Sequence, residues 1–285
     1  MEINLLKNKI ERSAEALNKK IGFIGFGKMA QAMAGGMIRS ELIRTDQIMA
    51  SMRTKESRTL AAERFGIEVS AVNSDVAAFA DVLFLAVAPY TYVEVIEEIK
   101  ETIKPDAVII TVAAGITTTD VENGFGKKVK VVRTMPNTPS LVGAGMTAVS
   151  VNREITDEDL ETVQQLLSSF GKVEIIAEAQ MDAIPAISGS SPAYVYMMIE
   201  AMADGGVRQG LSRDQSYRLA AQAVLGAAQM VLETGKHPGE LKDQVTSPGG
   251  ATIAAVSTLE QERFRGALLA AMDSCTAKVK DLGKK

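Results

Sequence analysis

Ser247-Pro248-Gly249-Gly250-Ala251-Thr252 is the segment of this chain best equipped for chemistry. Ser247 is a good helix N-cap, and Pro248 suits the first helical position, where a missing N–H costs nothing. The apolar-rich run from Ile253 to Leu259 continues as helix. Gly249 and Gly250 weaken the first turn by roughly 1 kcal/mol each relative to Ala. No Glu or Gln stands where it would close a capping box. Amides left bare at a helix N-terminus favour an anion, because their donors and the macrodipole act together. The segment therefore reads as a carboxylate-holding turn. The alternative is a tight helix–helix junction that needs glycine for packing.

A second glycine turn lies near the other end. Lys20 to Ile24 is a short buried strand, Gly25-Phe26-Gly27-Lys28-Met29-Ala30 follows, and an alanine- and methionine-rich helix runs on to about Arg39. This is G-x-G-x-x-A between strand and helix, the dinucleotide fingerprint. Gly25 allows the tight turn, Gly27 lets the backbone approach a pyrophosphate, and Ala30 lets the helix sit close to the strand. An Asp or Glu at the end of the second strand would hold the ribose hydroxyls of NAD. Here that place reads Ser51-Met52-Arg53-Thr54-Lys55, with two cations and no carboxylate. Arg53 can clamp a 2′-phosphate, so the expected cofactor is NADPH, with NADH as the alternative.

Ligands of such sheets lie at the carboxyl ends of the strands. The segments leaving those ends are Ala86-Val87-Ala88-Pro89, Val112-Ala113-Ala114-Gly115 and Arg133-Thr134-Met135-Pro136-Asn137-Thr138-Pro139. They are small, apolar and proline-stiffened, which suits a nicotinamide held flat in a dry site. They carry neither histidine nor carboxylate. A carbonyl reduction wants a strong proton donor; an imine arrives already protonable and needs less help. A substrate bearing an imine and a carboxylate fits, with the carboxylate on Gly249–Thr252 and the imine near the Thr252 hydroxyl.

The elements that must position these residues alternate at short intervals. Strands are expected at 20–24, 47–52, 67–70, 82–87, 107–112, 129–133, 146–151 and 173–176. Helices are expected at 55–65, 75–80, 92–101 and 157–170. This pattern is an α/β fold, a Rossmann-type doubly wound parallel sheet. From about residue 178 the strand signal stops. Helices are expected at 191–209, 212–235, 241–245, from Ser247, and at 264–282. Stretches such as 219–231 are apolar on more than one face and need more than one partner. The expected division is an N-terminal extension at 1–19, a dinucleotide-binding domain at 20–177 and an all-helical, dimerising, substrate-binding domain at 178–285.

Composition removes other classes. Of 285 residues, 46% are hydrophobic and 23% charged, as in ordinary soluble globular chains, and the net charge of −4 speaks against nucleic acid as a partner. No apolar stretch is long enough for a membrane span, and the charged first nineteen residues lack a secretory signal's apolar core. The single cysteine, Cys275, permits no intrachain disulfide and fits a reducing cytoplasm. With one histidine, His237, a metal site built on His and Cys clusters is excluded. His237, beside Gly235 and Pro238, reads as a helix-end residue, and Cys275 as packing.

Leu241 to Ile253, with Leu259-Glu260 beyond, closely resembles the signature of the pyrroline-5-carboxylate reductases. Ile21 to Gly27, Met135 to Pro139 and Ser188 to Tyr194 resemble the same family. The resemblance implies reduction of Δ1-pyrroline-5-carboxylate to L-proline with NAD(P)H. It also implies a homodimer through interlaced C-terminal helices, and rings of dimers in many members. By the same resemblance Gly25, Gly27, Lys28 and Met29 would line the pyrophosphate, and Ser51, Arg53 and Asn73 the adenosine side. Pro89, Ala114, Gly115 and Asn137 would pack around the nicotinamide. Ser247, Gly249, Gly250, Ala251 and Thr252 would hold the substrate, with Thr252 at the imine. The family usually has Lys-Pro-Gln where this chain has Ala88-Pro89-Tyr90, and often Gly at Ser191. The first departure removes a cation beside the cofactor. Two rival functions follow, a reductase of another cyclic imine acid or carbonyl, and a non-catalytic regulatory paralogue.

Overall fold

The computed structural model describes residues 16–282. Most of the expected N-terminal extension, residues 1–15, lies outside that range. Within its last four residues, the carbonyls of Leu17 (2.8 Å) and Lys19 (3.1 Å) accept from the Gln47 side-chain amide.

The chain divides into two compact units. The first comprises the described residues up to Gly189 and those from Thr276 onward. It opens with β1 (Ile21–Ile24), α1 (Lys28–Arg39), β2 (Ile48–Ser51), α2 (Lys55–Phe65), β3 (Glu68–Ser70), α3 (Asn73–Phe79) and β4 (Val82–Leu85). It continues with α4 (Tyr92–Ile99), β5 (Val108–Thr111), α5 (Thr118–Phe125), β6 (Lys130–Met135), β7 (Gly145–Val151), α6 (Asp157–Ser168) and β8 (Gly171–Ile175). The strands form one sheet in the order β3-β2-β1-β4-β5-β6-β7-β8.

Strands β1, β4 and β5 are buried throughout, as a parallel strand covered on both faces must be. One face carries Met33, Met37, Leu166 and Phe170 from α1, α6 and the residue pair beyond α6. The other carries Val76, Ile96, Ile99, Val121 and Phe125 from α3, α4 and α5. Phe23 stacks on Phe84 across β1 and β4 with ring centroids 4.8 Å apart, and each such buried ring stabilises the core by roughly 1.5–3 kcal/mol. Gly22 faces the opposite side, where a Cβ would collide with Ala80 and Val76; only glycine lets α3 approach the strand this closely.

Two features of this unit depart from the sequence-based expectation. The sheet is parallel except between β6 and β7, which run antiparallel. Their connection holds only a single 3₁₀ turn, Thr138–Val142, too short for the crossover a parallel pair requires. Helix α5 was not expected at all. The Thr117 hydroxyl accepts from the Asp120 amide while the Asp120 carboxylate accepts from the Thr117 amide, and Gly126 closes the helix in the left-handed region.

The second unit spans Ser190–Cys275. It contains α7 (Ser191–Arg208), α8 (Arg213–Thr234), α9 (Pro238–Gln244), α10 (Ala251–Gln261) and α11 (Phe264–Leu282) as far as Cys275. Ser212 and Gln215 form the expected capping box of α8. His237 is the N-cap of α9, its Nδ1 accepting from the Gly239 amide at 3.0 Å. Among the described residues, no helix is long and apolar enough to cross a membrane.

Candidate active site

Gly25 follows β1 with φ +82°, a left-handed conformation that glycine adopts at no steric cost. A Cβ there would also strike the Ala86 carbonyl. The Gly25 amide donates to the Ser51 carbonyl at 3.2 Å, tying the glycine turn to the end of β2. Gly27 is the N-cap of α1, with no side-chain cap, and a Cβ at Gly27 would meet nothing within 4 Å. This open cradle before an uncapped helix start is the geometry that accepts a pyrophosphate. Lys28 is exposed beside it and Met29 half-buried.

A cleft of about 690 Å³ runs from this turn along the ends of β1 and β2 and is lined by Gly25, Ser51, Arg53, Asn73, Val87 and Glu98 among others. Four residues singled out from sequence (Gly25, Ser51, Arg53 and Asn73) are thus brought together. Ser51 is buried, and its hydroxyl donates to Asn73 Oδ1 at 2.7 Å. Asn73 Nδ2 donates in turn to Glu98 Oε2 at 2.5 Å. Arg53 is exposed at the rim. Glu94 and Glu98 were not singled out. Their i, i+4 spacing on α4, opposite the buried Val95, Ile96 and Ile99, is the signal that marks one common face.

The remaining loop residues surround the ends of β4, β5 and β6. Ala88 is half-buried and Pro89 exposed after β4, and Tyr90 stands 89% exposed. Ala114 and Gly115 are half-buried after β5, with Gly115 at φ +80°. Asn137 is buried with both ends of its amide engaged, donating to the Ser188 carbonyl at 3.0 Å and accepting from the Met146 amide at 2.9 Å. Its side chain braces the loop from within.

Behind these loops sits a polar frame that sequence gave no sign of. The Tyr92 hydroxyl donates to the Leu85 carbonyl and pairs with Thr111 Oγ1, both at 2.7 Å, joining the ends of β4 and β5. Burial pushes its pKa up to about 12, against the lowering effect of the Thr111 hydrogen bond. Arg133, 4% exposed, donates to Asp182 Oδ1 at 2.6 Å and lies 3.7 Å from Glu178 Oε1. Glu178 also accepts from the amide and hydroxyl of Thr118 at the start of α5.

In the second unit the glycine-rich turn is exposed, and α10 starts later than expected. The patterning places the N-cap at Ser247, but it is Gly250, and the helix begins at Ala251. Gly249, at φ +69°, interposes a left-handed residue, and the Gly250 amide is spent on the Ser247 carbonyl at 3.0 Å. Ser247 and Pro248 therefore form a turn ahead of the helix. No side chain caps α10, and Ala251 and Thr252 are both exposed. The bare amides lie at residues 251–253, so they overlap the expected anion-holding segment Gly249–Thr252 only at Ala251 and Thr252. Among the described residues no cluster of metal-ligating side chains occurs.

The glycine cradle, the sheet and the cleft define an oxidoreductase with a Rossmann-type dinucleotide-binding domain. A family model described as NADP oxidoreductase, coenzyme F420-dependent, matches residues 20–115. One described as pyrroline-5-carboxylate reductase dimerisation matches residues 178–282. The chain is 45% identical to the pyrroline-5-carboxylate reductase of Escherichia coli K12 over 94% of its own length and 100% of that protein. It is 42% identical to the soybean (Glycine max) enzyme of the same name, over 92% and 95% respectively. The crystal structure of Plasmodium falciparum pyrroline carboxylate reductase with NADP bound superposes with a TM-score of 0.85 at 31% identity, covering 94% of this chain and 99% of that one. The chain belongs to the pyrroline-5-carboxylate reductase family.

Proposed function

We infer that the chain catalyses the reduction of Δ1-pyrroline-5-carboxylate to L-proline by a reduced nicotinamide dinucleotide. The observation that carries this reading is the uncapped turn at Gly249–Thr252, exposed at Gly249, Ala251 and Thr252. Residues 20–177 bind the dinucleotide, and residues 178–285 bind substrate and dimerise.

The first unit's residues fit the cofactor. Gly25, Gly27, Lys28 and Met29 hold the pyrophosphate, and Ser51, Arg53 and Asn73 the adenosine ribose. Ala88, Pro89, Ala114 and Gly115 shape the nicotinamide end, with Asn137 holding its loop in place. Bound reduced nicotinamide supplies the hydride. In the second unit the amides of residues 251–253 donate to the substrate carboxylate. Ser247, Gly249 and Gly250 set the turn, and the Thr252 hydroxyl holds a proton at the ring nitrogen. The exposed Arg53 favours NADPH, since a guanidinium pairs with phosphate through two parallel hydrogen bonds.

Assembly is a homodimer through the C-terminal helices, and rings of dimers are compatible with it. Support comes from the dimerisation model and from the many apolar side chains that the second unit leaves exposed. A cytoplasmic location accords with the lone cysteine.

Incubation with NADPH and pyrroline-5-carboxylate should consume the cofactor and yield proline. No consumption above an enzyme-free blank overturns the reading. Higher efficiency on the six-membered imine acid would instead reassign the substrate, the outcome expected if Ala88 and Tyr90 have reshaped the pocket.

A further inference from the structure

We propose that Glu98, acting through Asn73 and Ser51, weakens the preference of the cleft for a 2′-phosphate over a ribose hydroxyl. The proposal rests on the reading of this cleft as the dinucleotide site.

A carboxylate has only acceptors to offer. Facing Glu98 at 2.5 Å, Asn73 must therefore present its amide nitrogen. Its carbonyl oxygen is then turned to Ser51 at 2.7 Å, and that oxygen also only accepts. The one proton of the Ser51 hydroxyl is thereby committed to Asn73. Each polarity in the chain is forced by the one before it, starting from the carboxylate. What Ser51 leaves for a ligand is lone pairs. Lone pairs accept from a ribose hydroxyl, whereas a 2′-phosphate brings acceptors of its own and needs donors.

Glu98 also lines the same cleft as Arg53 and sets a negative charge against its positive one. Cofactor choice is thus a balance. Arg53 draws a phosphate to the rim, and the Glu98–Asn73–Ser51 relay withholds a donor within the cleft. Glu98→Gln lifts the constraint on the relay, because a glutamine amide can either accept from Asn73 or donate to it. When it donates, Asn73 is free to turn over and offer its own nitrogen to Ser51. The Ser51 proton would be released toward a phosphate.

The test is calorimetric titration of NADP⁺ and NAD⁺ into the full-length protein and its Glu98→Gln, Ser51→Ala and doubly substituted variants. Glu98→Gln should raise the ratio of the NAD⁺ to the NADP⁺ dissociation constant by about tenfold, the effect of one added hydrogen bond to a charged group. Most of that gain should vanish in the Ser51→Ala background, where no hydroxyl is left to release. An unchanged ratio overturns the proposal. So does an equal gain with and without the serine, which would mean that removal of charge alone is at work. If the unsubstituted protein binds neither nucleotide, the reading of the cleft fails first and takes the relay with it. Glu98 is exposed and its replacement isosteric, so Glu98→Gln should leave the melting curve unchanged, in the parent and in the Ser51→Ala background alike.

Discussion

Ser247 Oγ stands where a side chain on Gly250 would have to go, and the Gly250 amide closes the turn on the Ser247 carbonyl at 3.0 Å. The two residues fix the approach to the bare start of α10. Gly250→Ala must turn the Ser247 hydroxyl aside and brings its Cβ to 3.2 Å from the Ser247 carbonyl, the acceptor that closes the turn before the amides of α10. A shift of about 1 Å in a positioning group costs on the order of a hundredfold in rate. We expect a loss in kcat/KM for pyrroline-5-carboxylate of up to that size, with the melting temperature nearly unchanged because Ser247, Pro248 and Gly249 beside it are exposed. Activity within twofold of the parent would show that the turn does not hold substrate.

Thr252 is the only hydroxyl within the first three residues of α10. Thr252→Ala should lower kcat by roughly 10- to 100-fold, at or below the bottom of the range a positioned proton donor contributes, since an imine is readily protonated. Thr252→Ser should restore most of it. Steady-state kinetics on both variants decide the matter, and equal losses for alanine and serine would assign Thr252 a packing role.

Arg53 offers its guanidinium from the rim of the cleft. Arg53→Ala should weaken NADPH by about tenfold or more while leaving NADH within about twofold, because only the former carries a phosphate for the guanidinium to pair with. Parallel KM determinations with both cofactors check this. Equal effects on the two would remove Arg53 as the discriminating group.

Much of the sheet and the first glycine turn was legible in the chain because glycine and buried strands leave strong marks. Gly25 and Gly27 were readable since one needs a left-handed turn and the other open space, and few residues supply either. Continuous apolar runs exposed β1, β4 and β5. Helix α5 escaped because only Thr118, Val121 and Phe125 of its eight residues are buried, too thin a stripe to register as periodicity. The start of α10 was misplaced by three residues because Ser-Pro mimics a cap and first turn, and nothing local reveals that Gly249 will turn left-handed. Glu98 was missed for a different reason, since its spacing from Glu94 marks a shared helix face but not what that face meets. A glutamate on an amphipathic helix reads as solvated surface, and only the packing of α3 and α4 against neighbouring strands brings it to Asn73. The Arg133–Asp182 pair, 49 residues apart in sequence, is likewise a product of tertiary structure.

Tyr92 predicts a pH dependence. Its pKa is raised by burial to about 12, against roughly 10 in an unfolded chain. Above pH 10 the unfolded state gains by releasing this proton while the folded state holds it. The stabilising contribution is therefore full below about pH 10 and is lost as pH rises toward 12, by roughly 2–3 kcal/mol. Urea midpoints measured at pH 9 and pH 11 should fall more steeply for the parent than for Tyr92→Phe. Parallel slopes would show that Tyr92 titrates normally.

The second unit predicts its own assembly. Leu219, Leu225, Met230 and Leu232 of α8 are all substantially exposed, Leu232 by 81%. Apolar side chains on this scale mark a surface that meets another chain. An aspartate at such a position leaves an unpaired charge in the interface, at a cost of several kcal/mol. Leu225→Asp should therefore lower the mass measured by light scattering from an oligomer to a monomer at micromolar concentration. Helicity by circular dichroism should be largely kept, because Leu225 is 51% exposed within its own chain and its replacement there opens no cavity. An oligomer of undiminished mass would show that the partner is not held through this part of α8.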